Sequence, residues 1–149
     1  ENLKGIPEED WQYGENASWL YYLFPNVQLG GGGHDANLIK IYPDPKNPGR
    51  SITKVNHYFS QEFIDYVSQV PDDGKSAYDK DRNPSLDGVV EVFDTTIEQE
   101  DYLMGETTQK SAETGIVKEF IFGRNEPALH HYHNTFREAL NLPPLEKVG

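Results

Sequence analysis

The sequence contains no cysteine among its 149 residues. It therefore cannot form a disulfide framework or a thiolate metal site, which favours an intracellular, cytoplasmic protein. It also lacks any run approaching the ~20 apolar residues that a membrane-spanning helix needs. Basic residues are few, 13 against 25 acidic ones, and the resulting net charge of −12 repels phosphate backbones and anionic lipid. Roles in nucleic-acid binding and at membranes are disfavoured.

What is present suits one folded domain. A hydrophobic content of 36% with 12% aromatic residues is ordinary for a globular protein, and the length allows a single sizeable core. No basic segment followed by an apolar one suggests a signal peptide. Because the first residue is Glu1, part of the chain is expected to be missing at the N-terminus.

The first half of the chain predicts antiparallel strands. Short runs of aromatic, aliphatic and β-branched residues alternate with turn residues, and a proline- and glycine-rich turn over residues 43–49 predicts a hairpin. The predicted strands are Trp19–Phe24, continued through Val27 and Leu29, then Asn37–Tyr42 and Ser51–Ser60.

The second half predicts helices. A helical turn near Phe63–Val67 precedes a polar segment, Pro71–Gly88, that is expected to be an exposed and mobile loop. A long helix is predicted over Val89–Ala112 and a last one over Pro127–Asn141, with Asn125 or Glu126 as its cap. Strands followed by helices, rather than alternating with them, indicate an α+β fold with a long helix packed on an antiparallel sheet.

Asp101 lies on the apolar stripe of the long helix. Residues at steps of three or four share one helical face, and Asp101 falls between apolar members of such a series. The stripe comprises Val90, Phe93, Ile97, Asp101, Met104 and Thr108. A carboxylate facing a core is costly unless it binds a positive partner such as a metal ion. Two interpretations stay open: a metal ligand, or a solvated acid beside Glu98 and Glu100.

Two other candidate motifs give weaker evidence for a functional site. The glycines at positions 30–33 lead into a strand and not into a helix, so a flexible hairpin or loop is preferred to a phosphate-binding loop. His130, His131 and His133 with Glu126 suggest a metal cluster, but successive helical positions differ by about 100°, so the three imidazoles cannot face one point. His133 is predicted to be a partly buried core residue.

Three segments, in order, resemble one known family. Glu98-Gln99-Glu100-Asp101 followed by Glu106 and Gln109 is similar to the acidic helix of Rieske non-haem iron ring-hydroxylating oxygenases, in the catalytic domain of their alpha subunits. The segment from Tyr22 to Asn26 is similar to the Phe-Pro-Asn strand beside their substrate pocket. The stretch from Phe122 to His133 is similar to the entry into their C-terminal helix. The three segments are spread over most of the chain, from residue 22 to residue 133.

The resemblance implies a helix-grip fold and an oxygenase that hydroxylates or demethylates an aromatic or similar apolar substrate with O₂ and NAD(P)H. It implies mononuclear Fe(II) held by two His and one Asp, with Asp101 as the carboxylate ligand. Phe24, Asn26 and Met104 are the predicted substrate-binding residues. Further implied are a Rieske [2Fe-2S] cluster, ferredoxin or reductase components that supply electrons, and a homotrimer or an α3β3 assembly in the full-length protein.

The chain departs from the family pattern in two respects. A Rieske cluster needs two Cys and two His, and this sequence has no Cys. The family's two iron-binding His residues precede the Phe-Pro-Asn strand, and no His precedes Trp19 here. We therefore expect residues 1–149 to be the C-terminal part of a catalytic domain, with one iron ligand of three, inactive alone and binding no cofactor by itself.

Two other function classes remain as alternatives. A helix-grip module could hold a hydrophobic ligand between sheet and helix without redox chemistry, in which case Asp101 need not point into the pocket. A purely structural or interaction domain would show neither a pocket nor an inward-facing acid.

Overall fold

The computed structural model describes residues 5, 7, 10, 18–117 and 119–147. It has an α+β fold, as predicted, with one antiparallel sheet in the strand order β1-β2-β3-β4 and helices that follow the strands in the chain, consistent with a helix-grip domain. The strands are β1 (Trp19–Leu23), β2 (Val27–Gly32), β3 (Asp35–Asp44) and β4 (Asn47–Phe59). The helices are α1 (Gln61–Val67), α2 (Leu86–Thr96), a π-helical segment (Ile97–Tyr102), α3 (Leu103–Glu113) and α4 (Pro127–Ala139).

The predicted first strand is in fact a pair. β1 and β2 form an antiparallel hairpin whose turn contains a cis Phe24–Pro25 peptide bond. The turn is attached to β3 through Asn26, whose side-chain amide donates to the Ile41 carbonyl at 2.9 Å and whose own carbonyl accepts from the Ile41 amide at 3.0 Å. Each residue of β1, from Trp19 to Leu23, is therefore paired with a residue of β2.

The hairpin predicted between the next two strands is confirmed. Asp44 and Asn47 close its turn by accepting backbone N–H groups of Lys46 and Gly49 through their side chains. Such local bonds are the reason why Asp and Asn favour turns. Both strands are longer than predicted, because β3 begins at Asp35 and β4 begins at Asn47, within the predicted turn. Residues Gly30 to Gly32 form the end of β2 and Gly33 begins the turn into β3, so the glycine run belongs to a β-hairpin.

The long helix begins earlier than predicted and is not uniform. Ser85 caps it by accepting from the Gly88 amide at 3.1 Å, so the helix starts at Leu86 and not at Val89. α2, the π segment and α3 follow one another without a break over residues 86–113. A π-helical turn, with i→i+5 hydrogen bonds, changes the phase of the helix, and the apolar stripe predicted from a constant α-helical step does not continue through it.

The polar segment before this helix is held by local hydrogen bonds rather than being featureless. The Asp73 carboxylate accepts the backbone N–H groups of Asn83 and Lys75 at 2.9 and 3.1 Å, and the Asn83 side chain donates to the Pro71 carbonyl. The Asn83 amide, more than the nearby Lys75, holds the pKa of Asp73 below its ordinary value. The segment is mostly exposed, as predicted, but hydrogen bonds between Asn83 near its end and Pro71 and Asp73 near its start join the two ends.

The last helix follows the predicted rules. Glu126 occupies the N-cap position and Pro127 the first turn. Two aromatic pairs join the helix to the β1–β2 hairpin edge to face: Tyr22 of β1 contacts Tyr132 at 4.5 Å, and Phe24 of the turn contacts Phe136 at 5.0 Å, between ring centroids. These contacts, each worth about 0.5–1.5 kcal/mol beyond burial, attach α4 to the sheet.

The single sizeable core expected from the sequence is not closed. No hydrophobic side chain among the described residues is fully buried, and the accessible surface is 12,278 Å², against roughly 7,700 Å² for a compact protein of this mass. Sheet and helices therefore cover one another incompletely and leave apolar surface accessible. None of the described helices combines the length and the apolar character needed to cross a bilayer.

Gly31 is required by close packing on the sheet. A Cβ there would lie 2.8 Å from both the Asp35 carbonyl oxygen and the Trp19 ring, and 3.1 Å from the Ala36 Cα. Two of these atoms belong to the backbone of β3, which cannot move aside without disturbing the sheet. Gly31→Ala is therefore expected to lower the free energy of unfolding by about 1–3 kcal/mol, measured by urea titration. The matched control is Gly105→Ala in α3, where an added Cβ would meet no atom within 4 Å other than its chain neighbours and the backbone of its own helix. Better helix propensity should raise stability there by up to about 1 kcal/mol. Equal effects of the two changes would refute this packing role.

Candidate functional site

A row of paired residues crosses one face of the sheet. Leu20 on β1 pairs with Gly30 on β2, Gly30 with Asn37 on β3, and Asn37 with His57 on β4. Directly opposed residues of antiparallel strands point to the same side. This face is the one toward which α2 packs, because the Phe93 ring meets the His57 ring edge to face at 5.1 Å.

An open cleft of about 500 Å³ lies between this row and α2. We call it the glycine cleft. Its lining residues are Gly30 to Gly32 of β2, Gly33 of the following turn, Asp35, Asn37 and Ile39 of β3, and Ser18, Leu20 and Phe93. Gly30 leaves room there, since a Cβ at this position would already lie 3.3 Å from the Leu20 side chain. The volume falls in the range of ordinary small-molecule sites.

Asn37 is the most constrained polar group of the cleft. The residue is 7% exposed, and its Oδ1 is buried without a hydrogen-bond partner among the described residues. An unsatisfied buried amide costs about 1–3 kcal/mol, so it is a group that gains from an incoming donor. Asp35, two residues earlier, lies on the same face and contributes a carboxylate to the same space.

His57 fixes α2 over the sheet. Its side chain is 13% exposed, and its Nε2 lies 3.3 Å from Oδ1 of Asp94, the residue after Phe93. Together with the Phe93 contact this hydrogen bond holds the first part of the long helix against β4. Near the other end of the long helix, only the tips of the exposed Glu113 and Gln109 side chains come close to Gly49 in the β3–β4 turn among the contacts described for that glycine.

Asp101 lies in the π segment, between these two ends of the long helix, and is exposed. Val90, Phe93 and Ile97, which precede it on the predicted stripe, are half-buried, whereas Met104 is 64% exposed. The stripe thus ends where the π turn begins. Short π segments inside α-helices are frequent at functional sites, and the assignment of Asp101 as a metal ligand stays a prediction.

The predicted substrate residues lie apart from the glycine cleft. The Phe24 ring packs on Phe136 of α4, Asn26 bridges β2 and β3 through the Ile41 carbonyl, and Met104 projects from α3. Within the described part of the chain, none of the three is among the residues that line the glycine cleft. Their substrate-binding role also stays a prediction.

The histidine-rich stretch packs against aromatic rings. The His133 ring stacks on Phe122 at 4.6 Å and is half-buried, and Glu126 accepts the Gly123 amide at 2.7 Å. No group of three or more His, Cys, Asp or Glu side chains converges anywhere in the described ranges. The interpretation of His133 as a partly buried packing residue is therefore preferred to a metal cluster.

Sequence reasoning missed Asn37, although the signal was present. Asn37, Ile39 and Ile41 occupy every second position of β3 and therefore share one face, so Asn37 is a polar residue on an apolar face. That is the same pattern, at a period of two instead of 3.6, that singled out Asp101. Its pairing with Gly30 depends on the register of β2 and β3, which the sequence did not reveal.

Tyr22 provides a pH-dependent contact near the site. Burial, and after it a hydrogen bond with Tyr132, raises the pKa of the Tyr22 phenol above its ordinary value. The unfolded chain then loses this proton more readily than the folded one, so the contribution to stability is complete below about pH 10 and is lost as the pH rises further. Tyr22→Phe should therefore flatten the fall in unfolding free energy between about pH 9 and 11, measured by urea titration. Tyr21→Phe, with its ring exposed on the other face, is the control, and an unchanged slope in Tyr22→Phe would contradict this coupling.

Comparison with known proteins identifies a family. The family model of the ring-hydroxylating alpha subunit (catalytic domain) matches residues 2–142. No curated protein and no solved structure matches the chain. Because the family match spans almost the whole sequence and the fold is the α+β arrangement expected of it, the chain belongs to the family of catalytic domains of ring-hydroxylating alpha subunits.

Proposed function

We propose that this chain is the C-terminal part of the catalytic domain of an oxygenase that uses O₂, with electrons ultimately from NAD(P)H, to hydroxylate or demethylate an aromatic or similarly apolar substrate. The observation that carries the proposal is the family match over residues 2–142. The glycine cleft supports it, since apolar side chains and a few polar groups around a concavity suit such a substrate.

The metal expected of the family requires donors beyond those that the described residues bring together. A mononuclear non-haem iron site of this type needs two imidazoles and one carboxylate on one face of the metal. Asp101 is exposed, and the described residues contain no convergent set of three donors. The residues present do not by themselves fit the iron site, and a sequence without Cys does not fit a Rieske cluster. We propose that Asp101 is one ligand and that the remaining donors belong to other parts of a longer alpha subunit.

The chain's own residues have roles that do not depend on the metal. Leu20, Ile39 and Phe93 provide apolar walls that displace water from a bound ring, and the half-buried pair of His57 and Phe93 keeps α2 at a set distance from the sheet. Positioning of this kind is a large part of how an enzyme lowers a barrier. Electron-transfer proteins and further copies of the subunit, as a homotrimer or an α3β3 assembly, are the proposed partners.

The test uses the full-length alpha subunit with its reductase components, NADH and ¹⁸O₂. We expect oxygen uptake and NADH oxidation that depend on an added aromatic substrate, with one ¹⁸O in a monooxygenated product or two in a dihydrodiol, detected by mass spectrometry. Tight binding of an apolar compound without any substrate-dependent oxygen uptake would instead identify a helix-grip binding module, and the oxygenase proposal would be wrong.

A further inference from the structure

The glycine cleft offers one strong hydrogen-bonding position. Asn37 is more than nine-tenths buried, and its Oδ1 has no partner among the described residues. Of the two cross-strand neighbours of Asn37, Gly30 has no side chain, and His57 directs its Nε2 to Asp94. A ligand in the cleft can supply the missing donor as a hydroxyl or amino group.

The charge of the cleft excludes one class of ligand. Of the described residues that line it, Asp35 alone carries a charge, and no Lys, Arg or His side chain offsets it. The chain as a whole is also strongly acidic, with a net charge of −12. A ligand carboxylate would meet like charge without a counter-ion, whereas a neutral or cationic group would not.

The size and walls of the cleft define the rest of the ligand. An apolar cavity of about 150 Å³ can hold benzene, so about 500 Å³ leaves room for a bicyclic compound together with a polar substituent. Gly30 provides a flat floor, and Phe93 a ring on the opposite side. A planar ring lying between them can direct a substituent toward Asn37.

From these three features we propose that the glycine cleft selects a neutral or cationic ring compound that carries a hydrogen-bond donor. Asn37 accepts the hydrogen bond from that donor, and Asp35 repels analogues that carry a carboxylate. This proposal rests on the proposed function in one respect: the compound that the cleft binds is taken to be the substrate of the oxygenase. Asn37 and Asp35 are then specificity-determining residues of this chain.

The test measures binding and not turnover. Three probes of similar size, 2-naphthol, 2-methoxynaphthalene and 2-naphthoate, are titrated into the full-length alpha subunit by calorimetry at neutral pH. We expect 2-naphthol to bind at least about 10-fold more tightly than 2-methoxynaphthalene, which lacks the donor, and 2-naphthoate to bind weakest of the three.

Two variants assign the selectivity. Asn37→Leu should bring the affinities for 2-naphthol and 2-methoxynaphthalene to within about twofold, and Asp35→Asn should strengthen binding of 2-naphthoate by about 10-fold. Asn56→Leu is the matched control on the neighbouring strand, because Asn56 is exposed on the opposite face; it should leave the order of the probes unchanged. Far-UV circular dichroism checks that each variant is folded, and Asp35→Asn, a nearly isosteric change, tests the charge selection separately.

The outcomes separate this proposal from the oxygenase proposal. Equal binding of the three probes to the wild type, or an unchanged preference in Asn37→Leu, would overturn the selection by the glycine cleft even if the protein consumes oxygen. The expected binding pattern without substrate-dependent oxygen uptake would support the cleft and overturn the oxygenase activity.

Discussion

Asp101→Ala in the full-length alpha subunit is expected to lower product formation by more than about 100-fold. Asp101 is the proposed carboxylate ligand. Changes in residues that merely support metal ligands already cost about 10–100-fold in activity or metal affinity, so the loss of a ligand itself should cost more. Alanine provides no oxygen to replace the carboxylate. Product is measured by mass spectrometry, and iron content by elemental analysis of the purified variant.

A neighbouring acid gives the control. Glu100 lies in the same π segment and is likewise exposed, so Glu100→Ala removes the same charge from the same turn. It should leave iron content and product formation within about twofold of the wild type, since exposed charges away from a site contribute little. Iron and product near wild-type levels in Asp101→Ala would return Asp101 to the alternative interpretation, a solvated helix acid.

Phe93→Ala is expected to cause a large loss of stability, because the Phe93 ring is a contact between α2 and the sheet. A Phe→Ala change at a fully buried position lowers the free energy of unfolding by about 3–5 kcal/mol. Because Phe93 is half-buried, Phe93→Ala should lower it by about 2–3 kcal/mol. Its ring touches His57 edge to face, and the adjacent Asp94 forms the hydrogen bond that helps to attach α2 to the sheet. Because the ring is also a wall of the glycine cleft, affinity for an apolar ligand should fall together with stability.

The experiment compares Phe93→Ala with Phe120→Ala by urea unfolding of the same protein. Phe120 is 58% exposed and lies outside the helices, so its loss should cost less than about 1 kcal/mol. Phe93→Leu, which keeps an apolar side chain of similar reach, should recover most of the stability. Equal losses for the two alanine variants would mean that α2 is not held to the sheet through Phe93.

The α+β class and most element positions could be predicted from the sequence because they depend on local rules. The turn chemistry at residues 43–49 predicted the β3–β4 hairpin, and Glu126 with Pro127 predicted the start of α4. Periodicity also placed a long helix close to its observed position. Each of these signals comes from residues within about one turn or one strand of the feature they specify.

The candidate site could be predicted only in part. Asp101 was singled out by an α-helical step, and the π segment then interrupted that step just where Asp101 lies. All residues from Glu98 to Val117 are exposed, so the sheet covers no face of α3, and Met104 is exposed although the stripe placed it inward. A change from α to π hydrogen bonding leaves no clear mark in the local composition.

What the sequence by itself determined is the set of chemical types and their local order: an acidic chain without cysteine, strands before helices, and three segments typical of one oxygenase family. What only the tertiary structure decided is which of these residues meet. Asn37 and Phe93 are 56 positions apart in the sequence, and they line one cleft because Asn37 pairs with Gly30 in the sheet and α2 lies over His57. Strand register and helix placement are set by the sum of many weak, long-range contacts, and no local pattern contains that sum.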